Sequence, residues 1–354
     1  MEIRRKSRTV NAGGLLIGGD NPISIQSMTN TDTRDIEATV KQIEALAEAG
    51  CEIIRVAILD MSAAAAVKEI KKRVKLPIAA DIHFDYRLAL AALESGADKL
   101  RLNPGNIGGS ENVRKVAEAA KIRGVPIRVG VNAGSLEKGI LRKFNGALPE
   151  ALAESALKHA AMLEDFNFSD IVIAVKASSV PVSIKAYEII AKQTDYPLHV
   201  GITEAGMELA GYVKSAVGIG AILSRGIGDT IRVSLTGDPA CEVYCAKEIL
   251  QSLGLRRFGV EFVSCPACGR TEIDLTGAAS YIKEYCKDIR ANIKVAVMGC
   301  AVNGPGEARD ADIGLAGGKG CAVIFKKGQV IRTVKESEII GVFIEELRKV
   351  APSG

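Results

Sequence analysis

The chain has 354 residues, of which 47% are hydrophobic and 25% charged, so it can bury a substantial core and is not a disordered protein. Aromatic residues make up only 4% and the formal net charge is only +4, which argues against a nucleic-acid partner but allows a local anion site. Neither a signal peptide nor an apolar run of ~18 residues is visible, so we expect a cytoplasmic protein with no membrane partner. In that compartment the eight cysteines are expected to be thiols or metal ligands rather than disulfides.

Short apolar runs alternate with longer amphipathic segments over residues 1–253. The predicted strands are Ile23–Met28, Ile53–Ile58, Pro77–His83, Lys99–Asn103, Pro126–Asn132, Asp170–Lys176, Pro197–Thr203 and Asp229–Leu235. Helices are predicted between them, for example at Asp35–Ala49, Tyr86–Ser95, Pro149–Asp165, Val182–Gln193 and Met207–Leu223, and Pro239–Leu253 closes the last unit. Eight strand–helix units predict an α/β fold of the (β/α)8 TIM-barrel type. A doubly wound open sheet is the alternative, although no G-x-G-x-x-G follows the first strand.

The alternating pattern ends around Gly254–Val260, where we place a domain boundary. Residues 1–253 would form the barrel, which binds the substrate, and residues 254–354 a small α+β domain. Within the second domain the sequence predicts a helix near Thr276–Arg290, a strand at Lys294–Met298, a glycine-rich loop and a final helix at Glu336–Val350.

Polar side chains recur in or just after the predicted barrel strands, and barrel enzymes have their active sites at the carboxyl ends of these strands. Five of them are cations, namely Arg55, Arg101, Arg128, Lys176 and Arg232. The others are Asp81, His83, Asn103, Asn132, His199, Glu204 and Ser234. A single buried Arg most readily pairs with a barrel acid, but five cations at one mouth predict a site for a multiply charged anion such as a diphosphate.

Two of these predictions keep a structural alternative. Glu204 is either a catalytic group that handles a proton or a substrate hydroxyl, or a structural ion-pair partner of Arg232 or Lys176. His83 and His199 are either substrate-binding or structural.

Three cysteines differ from the rest in their surroundings. Cys265 and Cys268 form the turn C-P-A-C-G, and Cys300 begins the glycine-rich segment C-A-V-N-G-P-G-E. A single C-x-x-C fits a redox dithiol, half of a zinc site or half of a cluster site. A zinc site would need Cys286 or Cys321 as its fourth ligand, since the small domain has no histidine. Three thiolates also fit a [4Fe–4S] cluster whose fourth iron has a weaker oxygen ligand, for which Glu307 is a candidate, or is left open to substrate.

The other cysteines are expected to behave as small apolar residues; they are Cys51, Cys241, Cys245, Cys286 and Cys321.

The segments SCPACGRTEIDL and VMGCAVNGPGEA resemble the cluster motifs of the 4-hydroxy-3-methylbut-2-enyl diphosphate synthase family of the non-mevalonate isoprenoid pathway. The segments SIQSMTNTDT, ADIHFDYRLAL, RLNPGNIG and VGVNAGSL are similar to the barrel of that family. The resemblance covers essentially the whole chain.

This resemblance implies that Cys265, Cys268, Cys300 and Glu307 hold a [4Fe–4S] cluster, and it places Asn303 with the substrate-binding residues. It implies the reductive ring opening and dehydration of 2-C-methyl-D-erythritol 2,4-cyclodiphosphate to 4-hydroxy-3-methylbut-2-enyl diphosphate. It also implies reduced flavodoxin or ferredoxin as electron donor, and a homodimer. The rival interpretations are a non-redox barrel lyase or transferase with a structural zinc module, and a ferredoxin-like electron carrier.

Overall fold

The computed structural model describes residues 3–301 and 303–351. The strands are β1 (Thr9–Ala12), β2 (Leu15–Gly18), β3 (Ser24–Met28), β4 (Ile53–Ile58), β5 (Ile78–Ile82), β6 (Lys99–Leu102), β7 (Ile127–Asn132), β8 (Ile171–Lys176), β9 (His199–Val200), β10 (Thr230–Ile231), β11 (Glu261–Ser264), β12 (Lys294–Met298), β13 (Ile313–Gly318), β14 (Cys321–Lys326) and β15 (Gln329–Lys335). The helices are α1 (Ile36–Ala49), α2 (Met61–Arg73), α3 (Tyr86–Glu94), α4 (Gly109–Arg123), α5 (Lys138–Phe144), α6 (Pro149–Glu164), α7 (Val180–Gln193), α8 (Glu208–Leu223), α9 (Pro239–Ser252), α10 (Leu275–Cys286), α11 (Gly304–Glu307) and α12 (Ile339–Val350). None of the helices within these described ranges is long and apolar enough to cross a membrane.

The chain divides into two compact units, Met1–Arg256 and Arg257–Gly354. In the first, strands β3 to β10 form a parallel sheet in the order β8–β7–β6–β5–β4–β3–β10–β9, in which β10 pairs with both β3 and β9. A parallel bridge between Ile173 and Leu198 joins β8 to the residue before β9 and completes the ring. The predicted eight-stranded TIM-type barrel is thereby confirmed.

Several barrel helices begin at a residue whose side chain caps the first turn. Asp35, Asp60, Asp85 and Asp238 each accept a hydrogen bond from a backbone N–H of the helix that follows them. Such caps satisfy backbone donors that the helix itself cannot pair, and they place the helix start directly after the strand loop.

An antiparallel hairpin, β1–β2, lies outside the sequence predictions. Its buried residues Val10, Ala12 and Ile17 pack against Ile53 and Val172, which belong to β4 and β8. The hairpin therefore covers the amino-terminal end of the barrel interior and leaves the carboxyl end of the strands for the site.

The last two barrel strands are much shorter than predicted. The sequence predicted Pro197–Thr203 and Asp229–Leu235, but the strands span only His199–Val200 and Thr230–Ile231. The residues after them continue in irregular backbone, which places Thr203, Arg232 and Ser234 on loops at the barrel mouth.

The second unit contains a separate five-stranded sheet in the order β11–β12–β13–β14–β15. The first three strands run parallel and the last two are antiparallel additions. Helices α10 and α12 pack on one face, where Ile282, Phe343 and Leu347 are fully buried against the strands. The predicted final helix begins only at Ile339, after a 3₁₀ turn at Glu336–Glu338.

Gly314 in β13 provides a test of the packing on the face of the five-stranded sheet that lies opposite α10 and α12. A Cβ atom at this position would overlap the ring of Phe325, which is fully buried. We expect Gly314→Ala to lower the free energy of unfolding by about 1–3 kcal/mol, because the ring cannot move without displacing its neighbours. Denaturant unfolding measures this loss.

Gly341→Ala in α12 is the matched control, since nothing lies within 4 Å of its added Cβ and alanine favours a helix. Equal stability of the two variants would contradict the packing described for Gly314.

Candidate functional site

A cavity of about 270 Å³ opens at the carboxyl ends of the barrel strands. Its lining includes Arg55, Asp81, His83, Arg101, Arg128, Asn132, Lys176, Arg232 and Ser234. Gly130, Ala174 and Thr203, which the sequence analysis did not select, complete the lining. All five cations predicted from the strand pattern therefore face one cavity.

Asp81 organises two of the cations. Arg101 donates Nη1 to Asp81 Oδ1 at 3.1 Å, and Arg55 Nε lies 3.6 Å from Oδ2. His83 Nε2 lies 3.6 Å from the same carboxylate and 3.1 Å from Arg101 Nη1. Burial alone would raise the pKa of Asp81, but Arg55, His83 and Arg101 together hold it well below its usual range, so the carboxylate stays ionised.

A second acid, Glu242 of α9, pairs with Arg232. Its Oε2 lies 3.4 Å from Arg232 Nη2, and its Oε1 accepts a hydrogen bond from the backbone N–H of Leu235 at 2.9 Å. The side chain of Glu242 is buried. The sequence left open an ion pair between Glu204 and Arg232. In the structure, Glu242 is the acid that pairs with Arg232.

Arg128 and Lys176 have no acidic partner among the described residues. Arg128 is 1% exposed, and its Nε and Nη1 atoms find no hydrogen-bond partner within residues 3–301 and 303–351. Burial, followed by the repulsion of Arg232 and Arg55, lowers the pKa of Lys176 well below its ordinary value. Buried cations without acids are costly, and an anion in the cavity would relieve that cost.

Gly130 makes room for this arrangement. A Cβ atom there would lie 2.7 Å from Arg101 Nε, so any larger residue would displace the guanidinium.

Three of the site residues predicted in the barrel lie outside the cavity lining. His199 is completely buried in the barrel interior, and neither of its ring nitrogens has a hydrogen-bond partner in the part of the chain that the structure describes. Asn103 is buried and its Oδ1 caps the following turn by accepting from the N–H of Gly105 at 3.0 Å. Glu204 is exposed, with a left-handed φ of 53°. Their roles in substrate binding or catalysis stay predictions.

Sequence reasoning missed two charged residues of the barrel interior. Lys99 begins the strand KLRL two residues before Arg101, and this spacing places both side chains on the same face of the strand. That spacing was a usable signal. Glu242 lies on a helix and carried no comparable signal, because its inward direction depends on how α9 packs against the strands.

In the second unit, Cys265 and Cys300 follow two neighbouring parallel strands. Ser264 of β11 pairs with Val297 of β12, so Cys265 lies at the same end of the sheet as the turn at Gly299. The N–H of Gly299 donates to Cys265 Sγ at 3.0 Å. The thiol of Cys265 therefore lies next to the backbone that leads into Cys300.

The C-P-A-C turn brings Cys268 toward the same strand end. Its backbone N–H donates to Thr271 Oγ1 at 3.1 Å, and Glu272 N–H donates to the carbonyl of Gly299 at 3.4 Å. Hydrogen bonds from the backbone and side chain of Arg270 lower the pKa of the exposed Cys268 thiol. A lowered pKa favours the thiolate, which is the form that binds metals.

The candidates for a fourth ligand lie in different surroundings. Glu307 is exposed at the end of the short helix α11, which begins after Asn303. At the start of this helix, the N–H of Gly304 donates to the carbonyl of Cys300. Cys321 begins β14 opposite Gly318. Cys286 is buried in the apolar core of this unit, and burial raises the pKa of its thiol to about 11.

Among residues 3–301 and 303–351, no three His, Cys, Asp or Glu side chains converge on a point where a single metal ion would bind. The thiolates of an iron–sulfur cluster bind separate iron atoms and do not have to converge in this way.

A larger groove of about 630 Å³ lies between α8 and α9, on the outside of the barrel. Its lining is mostly apolar, and among the described residues Glu248 is its one charged member. It therefore has nothing to hold an anion, unlike the smaller cavity at the barrel mouth.

Comparison with solved structures agrees with the barrel. Dihydropteroate synthase from Stenotrophomonas maltophilia, with imidazole bound in its active site, covers 70% of this chain and 98% of its own at a TM-score of 0.52 and 13% identity. Type I 3-dehydroquinate dehydratase from Clostridium difficile covers 70% and 97% at a TM-score of 0.51 and 15% identity. At these identities the likeness concerns the fold alone.

Sequence relatives are far closer. The chain is 57% identical to 4-hydroxy-3-methylbut-2-en-1-yl diphosphate synthase (flavodoxin) of Ruminiclostridium cellulolyticum, over 97% of this chain and 98% of that protein. It is 56% identical to the enzyme of the same name from Caldanaerobacter subterraneus, over 99% and 98%. The GcpE TIM-barrel domain matches residues 7–247, and the GcpE protein C-terminal domain matches residues 261–349. The chain therefore belongs to the GcpE family.

Proposed function

We propose that this chain is an iron–sulfur oxidoreductase that converts 2-C-methyl-D-erythritol 2,4-cyclodiphosphate to 4-hydroxy-3-methylbut-2-enyl diphosphate. The reaction breaks one ring C–O bond and one C–OH bond, forms a C=C bond and releases water. Two electrons and two protons balance it. Relatives at 57% and 56% identity carry the name of this activity over nearly the whole chain.

The observation that carries the proposal is the unpaired charge of the cavity. Five cations line the cavity, and two carboxylates, Asp81 and Glu242, pair with three of them; the five are Arg55, Arg101, Arg128, Lys176 and Arg232. A diphosphate is a compact, multiply charged anion that matches this excess.

The barrel residues divide the work of binding between them. Arg128 and Lys176, which have no acid partner in the described chain, are the groups free to bind phosphoryl oxygens. Asp81 and Glu242 hold Arg55, Arg101 and Arg232 in fixed orientations, so that these cations need little reorganisation when the anion binds. Ring opening increases the charge on the diphosphate, and the same cations stabilise that increase.

Four further residues of the lining supply hydrogen-bond donors and acceptors for the hydroxyl groups of the substrate, namely His83, Asn132, Thr203 and Ser234. We keep Glu204 as a candidate for handling a proton or hydroxyl and Asn303 as a candidate for substrate binding.

The donor set of the second unit fits a [4Fe–4S] cluster held by Cys265, Cys268 and Cys300, with Glu307 as the proposed fourth ligand. Two of the thiols follow neighbouring strand ends, and Gly299 already donates an N–H to sulfur, as residues around such clusters do. When bound, the cluster would supply single low-potential electrons and a Lewis-acidic iron.

Reduced flavodoxin is the proposed donor, because the names of the relatives specify it; ferredoxin is the alternative. We further propose a cytoplasmic homodimer, on the basis of the family resemblance alone.

The test uses protein purified without oxygen. We expect about four iron and four sulfide per chain, and oxidation of reduced flavodoxin only when the cyclodiphosphate is added. A colourless zinc protein, or an iron protein that oxidises the donor equally without the cyclodiphosphate, would overturn the proposal.

A further inference from the structure

The barrel interior below the cavity is polar where such interiors are usually filled by branched apolar residues. Lys99 of β6, His199 of β9 and Thr230 of β10 are all completely buried, and His199 and Thr230 are neighbours in register. Gln26 of β3 is also buried and bonded to Lys99. None of these four residues lines the cavity where we place the substrate.

Lys99 is the most unusual of them. Its Nζ donates to Gln26 Oε1 at 3.2 Å, and within the described ranges no carboxylate pairs with it. Its register neighbour on β5 is Ala79, and Asp81, one level higher, is already bonded to Arg101. The charged or titratable groups that act on Lys99 are Arg128 of β7, Arg55 of β4 and His199, all cationic or neutral.

These surroundings disfavour a charged amine when no anion is present. Burial, followed by the repulsion of Arg128 and Arg55, lowers the pKa of Lys99 well below its ordinary value. Burial, followed by the repulsion of Arg128 and Lys176, also lowers the pKa of His199 well below its ordinary value. A guanidinium cannot lose its proton near neutral pH, but an amine can, so Lys99 and Lys176 are the groups able to adjust their charge. Lys176 lines the cavity and can touch the anion, whereas Lys99 does not line it.

We propose that Lys99 is a charge-matching positioning residue, which takes up a proton when a diphosphate occupies the cavity above it and so strengthens anion binding without touching the anion. This inference rests on the proposed function for the nature of the anion. The proton goes to the neutral Nζ, which becomes an ammonium bonded to Gln26, and no other bond changes.

The inference predicts linked proton uptake, measured by isothermal titration calorimetry. Inorganic pyrophosphate is titrated into the holoenzyme at pH 8 in two buffers with different enthalpies of ionisation. For each pyrophosphate bound, we expect wild type to take up as much as about one proton more than Lys99→Met does. Wild type should also bind pyrophosphate about tenfold more tightly. Comparing the two proteins cancels the protonation of pyrophosphate itself.

Two further variants separate charge from structure. Lys99→Arg carries a permanent charge, so it should keep tight binding but lose the Lys99 share of the proton uptake. Lys68→Met, at an exposed position of α2, should behave as wild type. Thermal melts of all variants identify any that do not fold.

Any of three results would overturn the inference. They are equal proton uptake by wild type and Lys99→Met, uptake retained by Lys99→Arg, and no binding of pyrophosphate to wild type. Turnover of the cyclodiphosphate is a separate readout. Turnover without Lys99-dependent uptake overturns this inference alone, and Lys99-dependent uptake without turnover overturns the proposed function alone.

Discussion

Replacing Arg128 with methionine should lower kcat/KM for the cyclodiphosphate by between about 30-fold and several thousand-fold. This residue is 1% exposed and lines the cavity, and two of its donor atoms have no hydrogen-bond partner among the described residues. Losing one member of a buried, hydrogen-bonded charge pair costs roughly 2–5 kcal/mol, which corresponds to that range. Methionine keeps the unbranched apolar part of the side chain, so the barrel should still fold. Anaerobic steady-state kinetics measure the change.

The matched control is Arg123→Met, which removes an exposed arginine at the end of α4. It should change kcat/KM by less than about twofold, because exposed charges far from a site contribute little. Arg128→Lys tests geometry at constant charge, and we expect it to lie between wild type and Arg128→Met because an ammonium cannot bind two oxygens in the same fork. Full activity in Arg128→Met would show that the anion is not held in this cavity.

Replacing Cys300 with alanine should remove the cluster and reduce turnover below detection. Cys300 follows β12 and lies next to Gly299, whose N–H bonds to Cys265 Sγ, so losing its thiolate leaves the proposed centre with two cysteines. Iron and sulfide analysis of protein purified without oxygen measures the loss, together with the absorption of the cluster. The barrel should retain pyrophosphate binding, because its cavity lies within the first unit.

Cys241→Ala is the control for cysteine loss, since this residue lies on α9 of the barrel. It should keep its full iron content. Cys300→Ala with normal iron and turnover would refute the proposed ligand set.

The fourth ligand is tested by a pair of variants, Glu307→Ala and Cys321→Ala. If Glu307 is the ligand, its variant should lose turnover and hold iron less tightly, while Cys321→Ala stays near wild type. The opposite result would assign the position to Cys321, which the spacing of the sequence alone left open.

The barrel could be predicted because its signal is repeated. Six strands were predicted to within about a residue of their observed ends, since each is an apolar run bounded by turn residues. The ends of the last two strands could not be predicted in this way. The residues after Val200 and Ile231 are still partly apolar, as in a strand, but their backbone is irregular and forms no strand pairing. The β1–β2 hairpin was missed because it covers the end of the barrel, and its burial depends on strands distant in sequence.

The cationic cavity was predictable for a related reason. A cation inside a strand that is buried on both faces is rare, and its direction follows from the alternation of side chains along the strand. What the sequence could not supply is the partner of each charge. Arg232 pairs with Glu242, which lies on helix α9. The sequence pattern offered Glu204 as its partner instead, because Glu204 follows the neighbouring strand β9. Those pairings depend on how helices pack around the barrel.

One anaerobic reaction tests the proposed function most directly. It contains the protein, reduced flavodoxin and 2-C-methyl-D-erythritol 2,4-cyclodiphosphate. The two products, 4-hydroxy-3-methylbut-2-enyl diphosphate and oxidised flavodoxin, are both quantified. We expect one 4-hydroxy-3-methylbut-2-enyl diphosphate for every two one-electron donors oxidised. Both products should form at least about 30-fold more slowly in the Arg128→Met variant at the same low substrate concentration. Diphosphate product formed without donor oxidation, or donor oxidised without diphosphate product, would contradict the proposed function.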